Sequence, residues 1–221
     1  MMNASLDTDI VIHLYKSGKK DLLFSNFDDL FIYEYLLETE MKTKSLSVYE
    51  EFKKDIDCGR VKLITNVDLV NMGVKGLFEE YKESNKYLFD IGELHAIALA
   101  KAMGILAFVS DDTKDEGPHQ TLVKELIEGV MPFAFYELLF LKYLNSQISL
   151  QEMFDYFEDV NSSSMSQHPM NFRTKISLTV RRFSRKYGSK RDNDWLENYC
   201  NEKDINLKGK MQELKTFLKA L

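Results

Sequence analysis

Cysteine is nearly missing from this chain: only Cys58 and Cys200 occur in 221 residues. Two isolated thiols build neither a disulfide framework nor a cysteine metal site, and a reduced, cytoplasmic setting is expected. Proline (3) and glycine (10) are also scarce, which argues against long disordered linkers. No run approaches the roughly 20 apolar residues of a membrane span, so no membrane association is expected. The N-terminus lacks a basic region followed by an apolar one, and no signal peptide is expected. The four histidines, His13, His95, His119 and His168, have no ligand spacing with cysteine or with each other.

What is present is apolar and acidic. Hydrophobic residues make up 44% of the chain, with 15 Phe and 11 Tyr, enough for a sizeable core. The net charge of −6 argues against a nucleic-acid binder on average, but the charge is unevenly spread. Residues 171–191 hold eight basic side chains and no acid, leaving about −14 on the remainder.

Hydrophobic periodicity alternates between strand-like and helix-like pieces. Short strands are expected at residues 3–6, 30–32, 61–65, 105–110 and 129–132. Helices are expected from Ile10 to about Ser17, at 34–42, 46–56, 67–83, 91–103 and 117–128. This repetition predicts an α/β fold with a parallel sheet covered by helices. After Phe133 only helices are expected: 135–144, 150–160, a basic amphipathic helix and a last helix at 205–220. The stretch Asn161-Ser-Ser-Ser-Met-Ser reads as a boundary, giving domains at 1–160 and 161–221.

Acidic residues stand where strands end or helices begin: Asp7 and Asp9, Glu38 and Glu40, Glu93, Asp111 and Asp112. In an open parallel sheet the C-terminal strand ends line the ligand crevice. Carboxylates gathered there repel one another unless a cation sits among them, and oxygen ligands favour hard divalent ions. Capping is the competing explanation: Asp7-Thr8, Glu93 and Asp111-Asp112-Thr113 all suit helix N-termini. Glu40 is harder to explain by capping. At α-helical spacing it shares the apolar face of Tyr33, Leu36, Leu37 and Met41, whereas Glu38 faces outward. Glu40 is favoured as the inward acid, and Glu38 stays open.

The order of pieces resembles the PIN-domain family of ribonucleases, which includes toxins of toxin–antitoxin pairs. The resemblance covers about residues 3–160. It rests on Leu6-Asp7-Thr8-Asp9 after the first strand, Glu38 or Glu40 after the second, Gly92-Glu93 followed by Ala96-Ile-Ala-Leu-Ala100, and Val109-Ser110-Asp111-Asp112. It implies a three-layer α/β/α fold with a five-stranded parallel sheet in the order 3-2-1-4-5. It implies Mg²⁺ or Mn²⁺ held by Asp7, Glu40, Glu93 and Asp111 or Asp112, and hydrolysis of RNA phosphodiester bonds. A hydroxyl residue often stands two before the fourth acid in this family, which points to Asp112. Catalytic roles then fall to Asp7, Glu40, Glu93 and Asp112, with Asp9, Glu38 and Ser110 in support. RNA is the implied partner, with an antitoxin protein or a second copy as further partners the resemblance allows.

In the C-terminal part, Phe172, Ile176, Val180, Phe183 and Tyr187 recur at helical spacing among basic residues. Arg173, Lys175, Arg181, Arg182, Arg185 and Lys186 are therefore expected to contact RNA phosphates. Two other functions fit the same sequence. One is a catalytically inactive scaffold for RNA or protein; the other is a structure-specific DNA nuclease.

Overall fold

The computed structural model describes residues 2–111, 129–164 and 169–221. The expected helix 117–128, together with Asp112, Lys114, His119 and His168, lies outside them. The chain divides into two compact units, Met1–Phe135 and Tyr136–Leu221. The division falls earlier than the Ser-rich stretch, whose residues Asn161–Ser164 continue a helix instead of breaking it.

The first unit is built on a five-stranded, all-parallel sheet flanked by helices. In chain order the strands are β1 (Met2–Leu6), β2 (Phe27–Tyr33), β3 (Lys62–Ile64), β4 (Ala107–Val109) and β5 (Met131–Phe133). Their order across the sheet is β3-β2-β1-β4-β5, as the resemblance implied. β1 is central. Ala4 and Leu6 on it and Ala107 and Val109 on β4 are fully buried, as expected of parallel strands covered on both faces. Ser5, the one polar residue within that buried stretch, donates its hydroxyl to the Ala96 carbonyl at 2.8 Å.

Between β1 and β2 lie α1 (Thr8–Lys16) and α2 (Asp21–Asn26). After β2 the chain winds into a π-helical segment, Leu36–Met41, which runs on into a short helix α3 (Lys42–Lys44). α4 (Leu46–Asp57) leads to β3. The stretch expected as one helix over 67–83 is two, α5 (Asn66–Asn71) and α6 (Lys75–Asn85). Gly73 separates them with φ +72°, a left-handed conformation that glycine adopts without strain. α7 (Ile91–Met103) is apolar around its whole circumference, and every residue from Gly92 to Ala100 is buried. It crosses back to β4, so the strand order reverses between β1 and β4, the point at which open parallel sheets place their ligands.

The second unit is helical. α8 (Phe135–Leu144), which begins at the last residue of the first unit, is followed by α9 (Leu150–Ser164), α10 (Phe172–Arg182), α11 (Lys190–Glu202) and α12 (Leu207–Ala220). The basic helix stops at Arg182 instead of continuing to Tyr187. Phe172 on it and Phe183 just after it pack inward: Phe183 stacks on Phe140 at 6.0 Å, and Phe172 meets Phe154 and Phe157 edge-on. No described helix is long and apolar enough to cross a membrane.

Candidate functional site

β1 delivers Asp7 to the point where the strand order reverses. The Asp7 backbone N–H donates to the Val109 carbonyl at 2.9 Å, fixing the end of β1 against β4. Its carboxylate is buried and accepts twice, from the Thr8 N–H at 2.7 Å and from the Ser110 hydroxyl at 2.7 Å. Asp7 is therefore the N-cap of α1, as the capping explanation required. The cap does not satisfy its charge. Burial, above all, pushes the Asp7 carboxyl well above the usual range, the charges of Asp9 and Glu93 push it further, and the Ser110 and Thr8 hydrogen bonds only partly offset them.

Glu40 and Glu38 divide as expected, though for a different reason. The segment that carries them is π-wound, so α-helical face counting does not apply to it. Glu40 still turns inward: its Oε2 accepts from the Thr8 hydroxyl at 3.1 Å, and its side chain is 16% exposed. Glu38 is exposed and accepts from the Tyr49 hydroxyl at 2.8 Å. The Glu40 carboxylate lies over the first turn of α7. A Cβ added to Gly92 would sit 2.7 Å from Glu40 Oε2 and 2.9 Å from Oε1, so glycine lets the carboxylate rest there and a larger residue would displace it.

Glu93 follows Gly92 on the same turn and is buried. It forms a capping box with Asp90: the Glu93 N–H donates to Asp90 Oδ1 at 2.9 Å, and Glu93 Oε2 accepts from the Asp90 N–H at 3.3 Å. Its charge nonetheless reaches Asp7. A chain of contacts thus runs from Asp7 through Thr8 to Glu40, and from Glu40 across Gly92 to the turn carrying Glu93.

Asp111 is buried and engaged at both oxygens. Oδ1 accepts from the Phe135 N–H at 2.9 Å, and Oδ2 meets His13 Nδ1 at 3.1 Å. It serves the packing of β4 and α1, which weakens its claim to a ligand role; Asp112 lies outside the described residues. Asp9 is at the rim. There Lys44 Nζ bridges Asp9 and Glu40, at 2.7 Å from each, and the two acids raise the Lys44 ammonium pKa despite its partial burial. Among the described residues, no three His, Cys, Asp or Glu side chains are drawn together into a ready-made metal-binding group.

Four participants were not legible in these roles: Thr8 as the link to Glu40, His13 on Asp111, Lys44, and Gly92 as the space for Glu40. The Glu40–Lys44 pair has i, i+4 spacing and was open to reading. The others depend on contacts across the fold.

The basic run divides into buried and exposed residues. Arg182 is interior, with Nη1 at 2.8 Å from Glu137 and Nε at 2.7 Å from Asp192. Lys175 is buried over the Tyr136 ring. Neither can reach RNA from there, which corrects the expectation for both. Arg185 is exposed but forked onto Glu197, at 2.6 and 3.0 Å. Arg173, Arg181 and Lys186 remain on the surface. Arg181 and Lys186 flank the exposed Tyr187 ring, at 5.2 and 4.9 Å from its centroid.

No protein-family model matches the chain, and no curated protein matches it.

Proposed function

We propose that the chain is a PIN-like, metal-dependent endoribonuclease. The observation that carries this reading is Asp7: a carboxylate at the sheet's reversal point, buried beside other acids, whose charged form is disfavoured without a further cation. The donors around it are carboxylate and hydroxyl oxygens, a set that fits Mg²⁺ or Mn²⁺ better than zinc. Asp7, Glu40 and Glu93 would hold the ion, with Asp112 as the fourth acid and Ser110 orienting Asp7. When bound, such an ion supplies Lewis acidity and charge neutralisation at a phosphodiester. Thr8 and Ser110 would keep the carboxylates in place, and Gly92 would let Glu40 approach the α7 turn. On the second unit, Tyr187 between Arg181 and Lys186 suits a base and its phosphates. The role of toxin in a toxin–antitoxin pair is compatible with this chemistry.

One set of observations favours a second reading, a non-catalytic scaffold. Lys44 already bridges Asp9 and Glu40, and Asp7, Glu93 and Asp111 all perform capping or packing duties. The two readings part in one assay. Purified chain incubated with RNA and Mn²⁺ should cleave it, EDTA should stop the cleavage, and Asp7→Asn and Glu93→Gln should each abolish it. RNA left intact by the wild type rules out the enzymatic reading, and RNA cut equally by both variants sinks the assignment of roles to Asp7 and Glu93.

A further inference from the structure

Beside the carboxylate cluster lies a second feature that the proposed chemistry does not use. A cavity of about 320 Å³ is lined by Tyr33, Glu34, Tyr35, Glu38, Thr39, Asn66 and His95. It is built from the same elements as the candidate site. Tyr33 ends β2, Glu38 stands two residues before Glu40, and His95 stands two residues after Glu93. Two residues apart on the helical segment, Glu38 turns toward this cavity and Glu40 toward Thr8 and the other acids.

The cavity combines a ring stack with hydrogen-bond acceptors. His95 is sandwiched between Tyr33 and Tyr35, with centroids 5.3 and 4.5 Å away and planes within 18°. Tyr35 is the half-buried end of this stack. His95 is only 6% exposed, and its Nδ1 donates to the Ile91 carbonyl at 2.6 Å. That bond fixes the tautomer and leaves Nε2 as an acceptor without a hydrogen-bond partner among the described residues, on a ring that lines the cavity. Glu34 uses Oε1 to accept from Asn66, and Glu38 uses Oε2 to accept from Tyr49. The second oxygen of each has no hydrogen-bond partner among the described residues. The described lining holds no lysine, and of the nearby cations Lys75 touches a lining residue. Lys75 donates to Asn66 and pairs with Glu79, and Lys42 and Lys53 lie over the Tyr49 ring.

A ligand for this cavity needs a flat face, adjacent N–H donors on one edge, and negative charge outside. Guanine is the nucleobase that presents two neighbouring donors, N1–H and the N2 amino group, on its pairing edge. Adenine, cytosine and uracil each turn an acceptor toward a carboxylate there, and acceptor against acceptor repels. A guanidinium would match the same acceptors; Lys75, held on the lining residue Asn66, opposes a cation at that end and suits a phosphate. We propose that this cavity is a guanine subsite: the base stacks on Tyr35, a carboxylate of Glu34 or Glu38 takes its N–H edge, and Lys75 meets the phosphate. The proposal deepens the ribonuclease reading by giving it a base preference next to the scissile bond.

The test uses the full chain in EDTA, so that it does not depend on cleavage. Calorimetric titration with 5′-GMP, 5′-AMP and 5′-UMP should show GMP binding at least about tenfold tighter than the other two. Glu34→Gln or Glu38→Gln should remove that preference, and Tyr35→Ala should weaken GMP about tenfold or more. Circular dichroism would check that these variants stay folded. Equal binding of GMP and AMP, a preference unchanged in both Glu variants, or tighter binding of an arginine peptide than of GMP would overturn it. Failure of the ribonuclease reading would look different: GMP selectivity would persist while RNA with Mn²⁺ stayed intact.

Discussion

Asp7 and Gly92 are the residues whose replacement speaks most directly. Asp7 is an acid whose folded pKa lies above its unfolded value. The sign follows from linkage. Its charge costs stability at neutral pH, and the cost is relieved as pH falls toward the raised pKa. Asp7→Asn should therefore raise Tm by a few degrees at pH 7 in EDTA, and the gain should shrink on acidification; thermal denaturation at several pH values reads both. A lower Tm would mean that the Ser110 and Thr8 hydrogen bonds outweigh the charge. Gly92→Ala has the opposite profile. Alanine is the better helix former, but its Cβ would collide with the flexible end of Glu40. Stability should change by less than about 1 kcal/mol, whereas RNA cleavage should fall about 10–100-fold, because Glu40 is displaced. Full activity in the alanine variant would separate Glu40 from the chemistry.

At the scale of elements, the ion-paired turn between α10 and α11 makes the clearest claim. Arg182 is buried with Glu137 and Asp192, and Arg191 adds a contact to Asp192 at 2.9 Å. Replacing Arg182 by Met leaves two carboxylates buried without it, and urea denaturation should show a loss of about 3–5 kcal/mol. Arg181→Glu, on the exposed face, should cost almost nothing. Burial alone would raise the Asp192 carboxyl, but Arg182 and Arg191 outweigh it and hold it below the ordinary value. The stability Asp192 contributes is present above the unfolded carboxylate pKa and is lost as pH falls through its lower folded value. Sequence patterning revealed the strands and most helices because buried parallel strands and the all-apolar α7 leave continuous apolar runs. It did not reveal the π-winding of Leu36–Met41 or the break at Gly73, since both are set by local backbone geometry that composition does not encode. Nor did it separate the interior Arg182 from the exposed Arg181. Adjacent residues on a helix differ by about 100° in direction, and only the partner helix decides which of them is covered.

For the whole molecule, the sequence displayed the acids and their strand-end placement, and the fold brings Asp7, Glu40 and the Glu93 turn into one neighbourhood at the reversal of strand order. It raised capping as a rival for Asp7 and Glu93, whose cap partners Thr8 and Asp90 are local, but it could not show the contacts from distant segments: Ser110 on Asp7, Thr8 on Glu40, and Phe135 and His13 on Asp111. The basic run is narrowed by the same logic: reversing Arg173, Arg181 and Lys186 to Glu should weaken RNA binding and flatten its salt dependence, while leaving cation binding at the acids unchanged. The central claim is that the acids of the first unit bind a divalent cation. Mn²⁺ titration of the full chain by calorimetry tests it most directly, comparing wild type with Asp7→Asn, Glu40→Gln and Glu93→Gln. Saturable binding by the wild type, weakened at least about tenfold in each variant, is the result expected. Absence of Mn²⁺ binding, or equal affinity across all four proteins, would contradict the account and leave Lys44 and the caps as the full explanation of the cluster.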